Sequence, residues 1–102
     1  MIKYKGFPIA PAEVEAVLLE HPLVSDCGIV GRKDDLCGEI PVAFVVLRNG
    51  QKDSAQIAGE LRGYVGERLC AYKQPQEVRF VTAIPRNPSG KILRRMLREK
   101  MQ

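Results

Sequence analysis

The sequence predicts an α+β fold: a small mixed β-sheet flanked by helices, in the order βαββαβα, with a glycine-containing hairpin at the N-terminus. Three observations predict it. Glu39 to Leu47 is almost continuously apolar, as befits a central strand covered on both faces. Two stretches, residues 11–20 and 53–69, carry apolar side chains at helical spacing. The remaining apolar segments are short and bounded by glycine, proline or asparagine, which punctuate strands and turns.

Each element has its own signal. Residues 1–9 alternate roughly apolar and polar around Gly6, which places a short hairpin there with Gly6 at the bend. Pro11 suits a first helical position, and Glu13 and Glu15 complement the positive end of a helix. Val14, Val17 and Leu18 form its apolar stripe, and His21-Pro22 ends it, because a residue before proline is turned away from helical backbone. Leu23 to Gly31 reads as a strand, Arg32 to Gly38 as a charged loop, and Asn49-Gly50 as a turn. Asp53-Ser54-Ala55-Gln56 resembles a capping box opening a helix that aligns Ile57, Leu61, Tyr64, Val65 and Leu69. Gly59, Gly63 and Gly66 each weaken that helix by about 1 kcal/mol relative to alanine, but fall opposite most of its stripe. Val78, Phe80, Thr82 and Ile84 alternate as a last strand, and Ile92, Leu93, Met96 and Leu97 mark a terminal amphipathic helix.

Composition narrows the functional classes. With 102 residues, 45% hydrophobic and 27% charged, residues 1–102 form one small domain rather than a disordered, collagen-like or coiled-coil chain. The longest apolar run is seven residues, Pro41 to Leu47, against the ~20 that a membrane helix requires. No secretory leader is visible, and a cytoplasmic location is expected. The three cysteines have no CxxC spacing and only one histidine, His21, accompanies them, so reduced thiols and no metal site are expected. The net charge of +4 is unevenly placed: residues 85–102 hold six bases and one acid, and the rest of the chain ten bases and eleven acids. The basic end should attract anions. A nucleic-acid module is the alternative this charge raises, but residues 81–102 contain no aromatic side chain to stack on a base.

The most informative stretch is Pro85-Arg86-Asn87-Pro88-Ser89-Gly90-Lys91. Two prolines stiffen it, Ser89 is placed to cap the following helix, and Gly90 allows close backbone approach. Lys91 then falls in a first helical turn, where the helix dipole is already positive and a cation is unfavourable. Free amides, dipole and ammonium together suit a phosphate or carboxylate. A Walker A loop does not fit, since Pro85 and Ile92 stand where it needs glycine and Ser or Thr.

Pro-Arg-Asn-Pro-Ser-Gly-Lys-Ile-Leu-Arg-Arg, residues 85–95, resembles the C-terminal lysine motif of the AMP-forming acyl-CoA synthetase superfamily. Lys3-Tyr4-Lys5-Gly6-Phe7-Pro8-Ile9-Ala10-Pro11-Ala12-Glu13-Val14-Glu15 resembles that superfamily's glycine motif, just beyond its interdomain hinge. Glu20-His21-Pro22 and Gly38-Glu39-Ile40-Pro41-Val42-Ala43-Phe44-Val45 also agree, so the resemblance spans the chain. Lys-Tyr-Lys-Gly-Phe and Ala-Pro-Ala-Glu place it nearest the 4-coumarate–CoA ligase-like enzymes.

The resemblance implies a mobile C-terminal lid that swivels over a large N-terminal domain, which this chain lacks. It implies that Lys91 is the adenylation lysine, supported by Pro88, Ser89 and Gly90. It gives Lys3 a part in thiolation at the adenylate, and Lys5 and Gly6 contacts with coenzyme A and its pantetheine arm. The implied cofactors are ATP, with magnesium, bound mainly by the absent domain, and coenzyme A; the implied partners are that domain and a carboxylic acid. Peptide-synthetase adenylation domains and luciferases are the alternatives within the superfamily. One residue departs from the pattern: Pro8 stands where plant-type relatives carry glutamine, which removes an amide and a backbone donor. The isolated chain is expected to fold as a monomer and to lack ligase activity.

Overall fold

The computed structural model describes residues 1–101. In chain order the elements are β1 (Ile2–Tyr4), β2 (Phe7–Ile9), α1 (Pro11–Leu19), β3 (Val24–Asp34), β4 (Gly38–Leu47), α2 (Ala55–Arg68), a 3₁₀ turn at Ala71–Lys73, β5 (Glu77–Phe80) and α3 (Arg94–Glu99). This is the expected α+β order, with the N-terminal hairpin resolved into two strands.

The apolar run becomes β4, the strand on which the sheet is built. β3 pairs antiparallel along one edge of it, and β1 and β5 pair with the other. β4 and β5 are parallel, so the chain must cross over, and α2 makes that crossing. Side chains alternate across β4. Ala43 and Val45 face α1 and α2 in a core with Val14, Leu18, Leu61 and Val65. Val42 and Phe44 face α3 in a second core with Ile84 and Leu97. A strand apolar at every position is thereby satisfied on both sides.

Four boundaries differ from the sequence reading. β3 does not stop at Gly31: Arg32, Lys33 and Asp34 pair with Ile40, Glu39 and Gly38. The Asp34 carboxylate accepts from Leu36 N and Cys37 N, closing a short turn at Asp35–Cys37 in place of a loop. Ser54, not Asp53, caps α2, its hydroxyl accepting from Ile57 N at 3.1 Å; an apolar residue in that third position returns no bond. β5 ends at Phe80, because Val81 N makes the last bond to β4, at Val45 O, and Thr82 turns away so that Ile84 can enter the second core. The terminal helix starts at Arg94 rather than near Ser89.

Of the three helix glycines, Gly59 and Gly63 face open space as expected. Gly66 does not. A Cβ there would stand 2.2 Å from Gln74 Nε2, so this glycine leaves room for the Gln74 side chain.

Candidate functional site

The chemistry-bearing residues form two separate groups. The first is the β1–β2 hairpin, with Ile2 paired to Ile9, Lys3 to Pro8 and Tyr4 to Phe7. Its two-residue turn puts both Lys5 (φ 51°) and Gly6 (φ 84°) in the left-handed region, as a tight hairpin turn demands. Ile2 and Tyr4 pack into the larger core, so Lys3 projects from the opposite face of β1, exposed. Its backbone N–H donates to Glu39 Oε1 at 3.0 Å. Lys5 is exposed, its ammonium 5.4 Å from the Tyr4 ring centre, and its N–H donates to Cys37 O. Nothing in the chain lies within 4 Å of a Cβ built on Gly6. Phe7 is 54% exposed and leans on the Tyr72 ring at 5.0 Å.

The second group is the loop of residues 85–93, a miniature hairpin rather than a helix start. Arg86 and Ile92 form an antiparallel bridge, Asn87 N donates to Lys91 O, and Leu93 N donates to Pro85 O. Asn87 Oδ1 organises the tip, accepting from Ser89 N, Ser89 Oγ and Lys91 N. That corrects two readings. Ser89 caps no helix, since its hydroxyl is engaged with Asn87, and Lys91 lies three residues before α3, clear of its dipole. A local asparagine turn has outcompeted the helix for these amides. Gly90 (φ 91°) supplies the tight bend, with no neighbour within 4 Å of a Cβ position. Pro88, Ser89, Gly90 and Lys91 are all exposed. Beside Lys91 runs an open groove with Ile92, Leu93 and Met96 among its lining.

Sequence reasoning missed what fastens this loop. β3 has a free outer edge, and two ion pairs close it. Asp26 Oδ1 accepts from Cys27 N, and the same carboxylate takes both Arg86 Nε and Nη2, at 3.3 and 2.7 Å. Arg86 Nη1 meanwhile donates to Gly90 O at 2.6 Å. Two residues along, Glu15 accepts from Ile29 N and binds Arg94 through both oxygens, while Arg94 also donates to Ile29 O. Orphan edge groups are thus satisfied by charged side chains instead of inviting another strand. Arg94, one of the six bases of the C-terminal end, is half-buried in this pair with a buried Glu15. Sequence separations of 60 and 79 residues leave no local signal for either pair.

The structure does not bring the two groups together. Tyr4 pairs with Gly38, the first residue of β4, and the hairpin tip lies beyond it. Asp26, which anchors Arg86, pairs with Val46, eight residues further along β4. At the usual rise of a strand this is about 26 Å. The molecule is only 37 Å in its longest dimension, so the groups stand near opposite ends of the sheet.

Burial pushes the Cys27 thiol up to about 12, with the Glu15 and Asp26 carboxylates adding to the effect. Cys37 is also raised, first by desolvation and then by Asp34. All three cysteines are free thiols. His21 is buried: Leu23 N donates to its Nδ1, which puts the proton on Nε2, facing Glu60 Oε2 at 2.6 Å. Among the described residues no three His, Cys, Asp or Glu side chains cluster to hold a metal ion. No helix among them is long and apolar enough to cross a membrane.

Residues 13–91 match the AMP-binding enzyme C-terminal domain family. The chain is 52% identical over 101 residues to 4-coumarate–CoA ligase 5 of Oryza sativa subsp. japonica, covering 99% of this chain and 18% of that one. It is 50% identical over 101 residues to 4-coumarate–CoA ligase 1 of Glycine max, covering 99% of this chain and 34% of that one. The Brucella canis acyl-CoA synthetase superimposes with a TM-score of 0.92 at 39% identity, covering 99% of this chain and 19% of that one. The chain therefore spans between about a fifth and a third of the length of these relatives.

Proposed function

The chain belongs to the AMP-binding enzyme C-terminal domain family, and from that premise we propose that it is the swivelling lid of an ATP-dependent, AMP-forming acyl- or aryl-CoA ligase. One observation carries the reading: two exposed lysine-bearing segments are anchored to positions about 26 Å apart along β4. No ligand of ordinary size meets both at once. A rigid domain with two such ends serves two steps in succession by turning.

In the first step a carboxylate oxygen of the acid bonds to the α-phosphorus of ATP, the bond to the bridging oxygen breaks, and pyrophosphate leaves. Lys91, presented by the loop, places its ammonium against the crowded negative charge and orients the acid. In the second step the domain turns and the hairpin approaches. The thiol of coenzyme A gives up its proton to solvent as its sulfur attacks the acyl carbon, and AMP leaves with the electron pair of the broken acyl–oxygen bond. Lys3 faces the adenylate, Lys5 holds the CoA phosphates, and Gly6 lets the pantetheine arm pass close to the backbone. The relatives' names make 4-coumarate the first acid to try.

The test uses the full-length chain that carries this domain. Lys91→Ala is expected to lower ATP–pyrophosphate exchange about 10²–10³-fold, while thioester formation from pre-formed acyl-adenylate and coenzyme A survives. Lys3→Ala is expected to do the reverse. Persistence of both activities in both variants overturns the reading.

A further inference from the structure

We propose that Asp26 and Arg86 are positioning residues for Lys91: through them the edge of β3 dictates where the lysine loop holds its ammonium. The inference rests on the adenylation role proposed for Lys91. Neither residue touches a substrate in this account; both act through the backbone of residues 90 and 91.

Lys91 is exposed, and among the described residues no side chain grips its ammonium, so the backbone beneath it decides where it is presented. Two things hold that backbone. Asn87 closes the turn from within, but a turn closed only on itself can pivot as a unit on residues 85 and 93. Among the described residues, Arg86 is the side chain that fastens the tip to the sheet. Its guanidinium faces two ways: Nε and Nη2 grip both oxygens of Asp26, and Nη1 holds Gly90 O, the carbonyl just before Lys91. A planar fork with fixed donor directions transmits orientation, as a single ammonium cannot. Asp26 is fixed in turn, because its Oδ1 also accepts from Cys27 N in β3. The chain of contacts runs from edge strand β3, through Asp26 and Arg86, to the residue before the lysine.

Such a chain matters more for a transition state than for folding. A misplacement of about 1 Å in a catalytic group costs up to ~10²-fold in rate. The pair lies at the surface, with side chains about a third exposed, where an ion pair adds little to stability. Asp26→Asn should therefore leave the domain folded while weakening the grip on Arg86.

The experiment measures both half-reactions in the full-length chain. Asp26→Asn and Arg86→Gln are each expected to lower ATP–pyrophosphate exchange roughly 10–100-fold, through kcat with little change in the KM for ATP. Thioester formation from supplied acyl-adenylate and coenzyme A is expected to stay within about twofold, since the hairpin lies at the other end of the sheet; it also reports that the variants are folded. The decisive arm places each change on Lys91→Ala. A residue that works only by aiming Lys91 has nothing left to aim, so no further loss is expected. The proposal fails if exchange is unchanged in both variants while Lys91→Ala abolishes it. It fails equally if both half-reactions fall together, or if the losses add to that of Lys91→Ala. Should Lys91→Ala itself retain exchange, the adenylation reading falls first and the positioning role with it.

Discussion

The β1–β2 hairpin and the 85–93 loop solve one problem by different means. Each presents a lysine on a two-stranded turn with a positive-φ glycine at its tip, and each glycine faces open space. The hairpin is held by the sheet itself, through three backbone pairs within it and one to β4. The loop has a single bridge and relies on side chains: Asn87 from within, Arg86 and Asp26 from the sheet edge. The hairpin also leans on the larger core of eleven buried residues, and the loop on the smaller one of five. Backbone ladders tolerate side-chain change; a loop assembled from side-chain bonds does not. The lysine end should therefore be the more easily broken of the two.

The largest expected effect comes from Leu97→Ala. Leu97 is fully buried, and its methyl would meet a Cβ on Gly28 at 2.8 Å, so it fills the floor beneath the loop. The change is expected to cost about 2–5 kcal/mol, read from urea unfolding. Hydrogen exchange should rise in residues 84–97 before it rises in the hairpin; a simultaneous rise would erase the distinction between the two cores.

Next come the two glycines. Gly6→Ala and Gly90→Ala meet no neighbour, so each should cost only the backbone strain of a left-handed residue, about 1–2 kcal/mol. Equal stability losses with opposite functional losses sharpen the comparison: thioester formation for Gly6→Ala, pyrophosphate exchange for Gly90→Ala. Matching functional losses would argue against two separate working ends.

The smallest effect belongs to Glu77, on β5 between the two ends. Arg79 and then Arg32 hold its carboxyl below the ordinary glutamate value of 4.5. A lowered folded-state pKa contributes stability that is fully present above that value and fades as the pH falls below it. Glu77→Gln is expected to lose less than about 1 kcal/mol at pH 7 and nothing relative to wild type in strong acid. A difference that grows on acidification would contradict the sign.

Much of the fold was legible because its signals are local. Gly6 had to sit at a bend, Pro11 had to open a helix, and a strand apolar at every position had to lie between two layers. The candidate lysines were legible too, as residues of recognisable motifs. What failed to show was their fastening. Ser89 suits a helix cap by residue type, yet Asn87 two residues earlier takes its hydroxyl and the nearby amides, and α3 starts later. Arg94 sits among other bases and reads as surface, until Glu15 and Ile29 are seen beside it.

The sequence by itself determined the element order and the double-sided core strand, because period, proline and glycine act within a few residues; it marked the candidate lysines only through the motifs that resemble a known family. Only the tertiary structure decided that Asp26 would meet Arg86, that Glu15 would meet Arg94, and that the two lysine turns would stand at opposite ends of one strand. Those outcomes depend on β3 being an edge. A strand's own residues do not say which neighbour it lacks, and so cannot say which distant charges will be recruited to satisfy it.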